Sequence, residues 1–142
     1  MNFFLAFFHL TPGFLWYKIN VIFRKGDSMP FIETKTTANV TDEKREEIKT
    51  LLGKAIELIP GKSESWLMLS FSDNLKMYFK GDDSADTAYI DVKIFGKAEK
   101  KAYDALTKEI CRIYSEVLSI PGDRIYVKYE EADIWGWNGM NF

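Results

Sequence analysis

The tripeptide Ile-Pro-Gly occurs at 59–61 and again at 120–122, and each copy ends a helical pattern that follows a strand pattern. This repetition constrains the fold more than any other feature, because it divides the chain into two halves of one design. In the first half, Phe31, Glu33 and Lys35 alternate with Ile32, Thr34 and Thr36, the period-two signature of a strand. Thr41 offers an N-cap oxygen, with Asp42 and Glu43 in the electropositive first turn. Ile48, Leu51, Leu52, Ala55, Ile56 and Ile59 fall on one helical face. Pro60-Gly61 stops that helix, and residues 65–71 predict a second strand. The second half repeats the order. Residues 86–94 predict a strand with Ala88, Ile90, Val92 and Ile94 on one face. A helix follows, its stripe formed by Tyr103, Leu106, Ile110, Ile113, Tyr114 and Val117. Pro121-Gly122 ends it, and residues 124–130 predict the closing strand.

A helical crossover sets its flanking strands parallel, with a right-handed connection. A chain of 142 residues is long enough for one hydrophobic core. The two βαβ repeats are therefore expected to pool their strands into one four-stranded sheet with two helices on one face, an α+β fold. The other sheet face is left uncovered, and Trp66 and Met68 or their alternates are expected on it. A bare apolar sheet face on so small a monomer would drive association, so an oligomer is expected.

The residue inventory limits the chemistry. A net charge of −2 leaves no surplus of Lys and Arg to neutralise phosphates, so nucleic acid is not expected as a partner. One cysteine, Cys111, excludes an internal disulfide or a cysteine-built zinc site, and one histidine, His9, leaves no histidine dyad. Metal and cofactor are accordingly expected to be none. Cys111 sits beside the helix stripe and reads as structural.

Residues 1–28 have a different composition. Lys18, Arg24 and Lys25 against Asp27 give them a net +2, which leaves −4 for residues 29–142, and they hold six of the eleven Phe. No charge precedes Lys18, Pro12-Gly13 splits the apolar run, and no small-residue cleavage site follows, so the secretory pattern is poor. The expected division is an extension at 1–29, either an upstream start that is not used or a weak signal or anchor, and a domain at 30–142. A folded extension is the remaining reading.

Five short motifs occur in order: MPF at 29–31, GK at 61–62, IFGK at 94–97, DRIYVKY at 123–129 and GWNGMNF at 136–142. With them, the chain from Met29 onward resembles the macrophage migration inhibitory factor and D-dopachrome tautomerase family of the tautomerase superfamily. The resemblance implies a homotrimer whose sheets wrap into a barrel, with sites at subunit interfaces. It implies that Pro30, as an amino-terminal residue, is the catalytic base of a keto–enol tautomerase acting on a small aromatic α-keto acid. It carries the substrate-carboxylate role to Lys62, a backbone contact to Phe95, and the pocket tyrosine, supplied by a neighbouring subunit, to Tyr126. Trp137 and Phe142 match the aromatic residues that close the pocket. Lys128 stands where the family has a pocket asparagine, and Trp135 where it has a small aliphatic. The Cys-x-x-Cys of some members would fall at Thr87 and Ile90, so thiol-disulfide activity does not carry over.

The chemistry needs an unprotonated base near neutral pH. An α-amino group titrates at about 8, and apolar walls and nearby lysines both disfavour its ammonium form. Proline adds a fixed φ, which aims the nitrogen lone pair. The alternative is a non-enzymatic, cytokine-like binding protein with a receptor as partner, favoured if residues 1–28 are retained and the Pro30 nitrogen is an amide. A start at Met29 points to the cytoplasm, or to export without a signal peptide as in family members.

Overall fold

The computed structural model describes residues 29–142; the reading of residues 1–28 as an extension lies outside the described residues. Strand β1 (Pro30–Thr36) leads to helix α1 (Asp42–Ala55) and strand β2 (Met68–Ser72). Strand β3 (Ala88–Phe95), helix α2 (Lys100–Leu118) and strand β4 (Ile125–Ala132) repeat that order. Both halves are thus the βαβ units that the repeated tripeptide predicts. The sheet order is β2-β1-β3-β4, with β1 parallel to β2, β3 parallel to β4 and the two central strands antiparallel.

Thr41 caps α1, its hydroxyl accepting from the Lys44 amide. The α1 stripe turns from α to 3-10 geometry at Ile56–Leu58 but stays inward, and Ile48, Leu52, Ile56 and Ile59 are fully buried. From α2, Leu106, Ile110, Ile113 and Tyr114 meet them. From the sheet come Ile32, Ile90, Val92 and Ile94, so one core lies between the helices and one sheet face. Tyr114 is buried among these side chains and shares a short hydrogen bond with Thr34 of β1. That bond satisfies the two buried hydroxyls, which would otherwise cost about 1–3 kcal/mol each. Burial pushes the Tyr114 phenol well above its usual range. Cys111 is half-buried at the core edge, where burial raises its thiol.

Two expectations are corrected. Residues 64–66 form a 3-10 turn, so Trp66 is not a strand residue on the open face. The physical reason lies in β1: its first ladder pair with β2 is Phe31↔Met68, and Pro30, lacking an N–H, cannot extend the ladder upstream. The open face is also not bare hydrocarbon. The register sets Glu33, Asp91 and Lys128 in one row across it, with Lys93 and Glu130 on one side and Lys35 on the other. Lys93 and Lys128 lie 3.6 and 3.8 Å from Asp91, and Lys128 lies 3.3 Å from Glu130. Alternating charge at these positions replaces the greasy patch that the strand pattern suggested, although Met68 and Tyr126 remain exposed there.

Candidate functional site

The two ends of the sheet differ in how the chain closes them. At the end where β1 begins, Gly61 takes a left-handed turn (φ 80°) after α1, and the chain passes over the start of β1 before entering β2. That left-handed conformation suits glycine. The turn carries Lys62 and then Trp66. At the same end, β4 runs out and the last residues fold into a hairpin of β5 (Gly136–Trp137) and β6 (Met140–Asn141). Asn138 and Gly139 both have positive φ (50° and 79°), the geometry of a type I′ turn and the reason for the Asn-Gly pair. Backbone bonds in both directions between Trp135 and Phe142, 3.3 and 2.9 Å, tie the hairpin shut.

Between these segments lies an open cleft of about 520 Å³. Met29, Pro30 and Phe31 form one part of its lining, Ser65 to Met68 another, and Trp135, Gly136 and Trp137 the last. All of these residues are uncharged. Trp66 and Trp137 meet edge to face with ring centroids 5.2 Å apart, an arrangement worth about 0.5–1.5 kcal/mol beyond area burial. The cleft is a concave apolar site with aromatic walls, the form that small-molecule sites take.

Lys62 is not the surface cation that a helix end would offer. Only 7% of its surface is exposed, and its ammonium donates to the Phe95 carbonyl at 3.0 Å. Phe95 ends β3 one residue beyond Ile94, the ladder partner of Pro30. Pro30, Lys62 and Phe95 are therefore assembled at one end of the sheet, with Trp135 and Trp137 across the cleft and Phe142 bonded behind Trp135. The sequence motifs that contributed them are far apart along the chain, yet Pro30, Trp135 and Trp137 all line the cleft, Lys62 and Phe95 meet at the same end of the sheet, and Phe142 is bonded to Trp135.

Tyr126 and Lys128 do not join them. Tyr126 pairs with Tyr89 near the start of β4, whereas Pro30 is in line with Glu131 through Ile94. Five residues of strand separate those rows, about 17 Å. Tyr126 is 61% exposed and packs against Phe79 at 5.1 Å. Lys128 lies between the two ends; its hydrogen bond to Glu130 and the charge of Asp91 hold its ammonium above the usual lysine value. Within one chain neither side chain reaches the Pro30 cleft. Trp66, in contrast, was missed as a site residue. Its signal was its place in the turn after Lys62, where an aromatic side chain cannot join the helix stripe.

The Pro30 nitrogen in this chain carries the Met29 carbonyl. It is a tertiary amide, with no N–H and no basic lone pair. Among the described residues no cluster of three or more His, Cys, Asp or Glu is placed to hold a metal ion.

The profile of the family described as "Macrophage migration inhibitory factor (MIF)" matches residues 29–142. A "Macrophage migration inhibitory factor" of Xenopus laevis is 29% identical over 93 residues, spanning 64% of this chain and 80% of the relative. Among solved structures, Leishmania major MIF2 superposes with a TM-score of 0.75 at 32% identity, over 80% of this chain and 97% of that one. A macrophage migration inhibitory factor homologue from Prochlorococcus marinus gives 0.70 at 30% identity, over 79% and 98%.

Proposed function

The chain belongs to the macrophage migration inhibitory factor family, and from that premise we propose that it is a keto–enol tautomerase whose base is Pro30, freed as the amino terminus. The observation that carries this reading is the position of Pro30 in an uncharged, tryptophan-walled cleft, at the sheet end where its ladder partner Ile94 is followed by Phe95, whose carbonyl accepts from Lys62. A secondary amine in such surroundings holds its proton weakly, because burial penalises the ammonium form. It takes a proton from the carbon next to a keto group and returns one to the other end of the enol. The substrate is a small aromatic α-keto acid of the phenylpyruvate type, its ring against Trp66, Trp135 and Trp137. Lys62, redirected from the Phe95 carbonyl toward the incoming carboxylate, supplies the charge that binds the acid and stabilises the developing enolate.

The active assembly is a homotrimer in which the neighbouring subunit brings Tyr126 and Lys128 to the cleft. Their separation from Pro30 within one chain supports this. Lys128 then adds a second cation where the family has an asparagine.

The test compares phenylpyruvate tautomerisation by protein beginning at Pro30 with that by protein retaining Met29. Loss of a positioned base costs about 10²- to 10⁴-fold. Turnover that is equal in the two proteins sinks the mechanism. In the active form, the rate should fall as pH drops through the amine pKa, because protonation removes the base. A receptor-binding role without catalysis is the second reading. It gains if the Pro30-terminated protein binds phenylpyruvate but does not turn it over.

A further inference from the structure

Tyr126 is 61% exposed near the start of β4, so the strand backbone by itself leaves its ring a choice of staggered rotamers. A second ring limits that choice. Phe79 meets Tyr126 edge to face, with centroids 5.1 Å apart and planes at 71°. Phe79 lies in the long connection from β2 to β3 and is itself held. Backbone bonds run both ways between Phe79 and Asp82, at 2.9 and 3.0 Å. Lys80 and Gly81 between them have φ of 52° and 74°, which makes the turn type I′. The Arg124 guanidinium lies 5.5 Å from the Phe79 ring centroid and donates to the Asp82 carboxylate and carbonyl at 3.2 and 3.1 Å. The 79–82 hairpin is therefore closed on itself and tied to the residue two places before Tyr126.

We propose that Phe79 is a positioning residue that acts across the subunit boundary: the 79–82 hairpin fixes the Tyr126 ring in the orientation in which its hydroxyl serves the neighbouring cleft. The inference rests on the proposed function in taking Tyr126 as the group that a neighbour brings to Pro30. There the hydroxyl donates to the substrate oxygen that becomes negative as the base removes the carbon proton. Such a bond strengthens as charge develops, so its misplacement lowers kcat and leaves substrate affinity nearly as it was. A loop remote from the cleft of its own chain thus prepares the cleft of the next.

The experiment uses protein beginning at Pro30, phenylpyruvate as substrate, and a double-mutant cycle between Phe79→Ala and Tyr126→Phe. Tyr126→Phe should lower kcat about 10²-fold, the usual loss of one donor to a developing oxyanion. Phe79→Ala should lower kcat about 2- to 13-fold, what one aromatic pair contributes to holding a single rotamer, with KM nearly unchanged. In the Tyr126→Phe background Phe79→Ala should do nothing further, because no hydroxyl is left to position. Phe79→Tyr, which keeps the ring, should give back most of the parent rate. Phe79→Leu takes the place of the alanine variant if thermal melting shows that the latter does not fold. An equal fall in kcat from Phe79→Ala in both backgrounds, or none in either, overturns the inference and leaves Tyr126 in the site. Full turnover by Tyr126→Phe overturns both the inference and the reading that brings Tyr126 to a neighbour's cleft.

Discussion

The two βαβ halves share a plan and put their post-helix turns at opposite ends of one sheet, because β1 and β3 run antiparallel. Where the second half turns, the chain is closed by polar bonds. The Thr87 hydroxyl donates to the Arg124 carbonyl at 2.7 Å, and Thr36 donates to the Thr87 carbonyl at 2.8 Å. The Arg124 guanidinium donates to the carbonyls of Asp82, Ala85 and Asp86 at 3.1, 2.9 and 3.0 Å. Where the first half turns, Pro30 has no donor, Lys62 points inward and tryptophans stand around an open cleft. The same architecture thus gives a clasp at one end and a site at the other. A repeated fold supplies equivalent positions, and the end where an apolar, tryptophan-walled cleft stays open is the one available for a ligand.

The largest effects should come from what the halves share. Ile48→Ala in α1 and Ile110→Ala in α2 each remove a fully buried side chain from the common core. Each should cost about 2–5 kcal/mol. Denaturant unfolding followed by far-ultraviolet and tryptophan signals should stay a single transition in both variants. Separate melting of one half would break the account of a shared core.

Substitutions in the two turns should split binding from stability. Trp66→Ala should weaken phenylpyruvate binding to the Pro30-terminated protein by about tenfold, a wall of the cleft being lost. It should move the melting midpoint little. Arg124→Ala should do the opposite, costing about 1–3 kcal/mol through the stranded carbonyls while leaving affinity unchanged. Similar consequences for the two variants would erase the distinction between site and clasp.

The smallest effect lies in the second half. The Tyr103 hydroxyl donates to Glu131 at 2.6 Å, and this bond, then the Ala98 amide, holds the Glu131 carboxyl below its ordinary value. A depressed folded-state pKa stabilises the fold above the unfolded glutamate pKa, and that contribution fades as pH falls through the folded value. In Tyr103→Phe the Glu131 carboxyl should titrate higher, measured by carbon-13 NMR, and acidification should cost the variant less than the parent. An unmoved titration would show that the Ala98 amide sets the shift alone.

Much of this was legible before folding. The cap at Thr41, the strand alternation from Ile32 to Thr36 and the α2 stripe are local patterns, and each appears where the residues put it. Pro30, Lys62, Phe95 and the tryptophans of the carboxyl-terminal hairpin were legible through motifs. Trp66 was not, because nothing local says that the β1–β2 ladder starts only at Phe31↔Met68. The charge on the open face was likewise hidden: Glu33, Asp91 and Lys128 are single alternate residues on three strands, and only the register lines them up.

The sequence by itself determined two βαβ units, their helix stops and an apolar stripe for each element, since these depend on neighbours three or four residues away. Tertiary structure decided which end of the sheet became a cleft. It turned the Lys62 ammonium inward to the Phe95 carbonyl, set Tyr126 and Lys128 away from Pro30, and brought Pro30 and three tryptophans to the walls of one cleft. Those outcomes depend on strand order, register and the crossing of segments far apart in the chain, whose energies exist only once the sheet has formed.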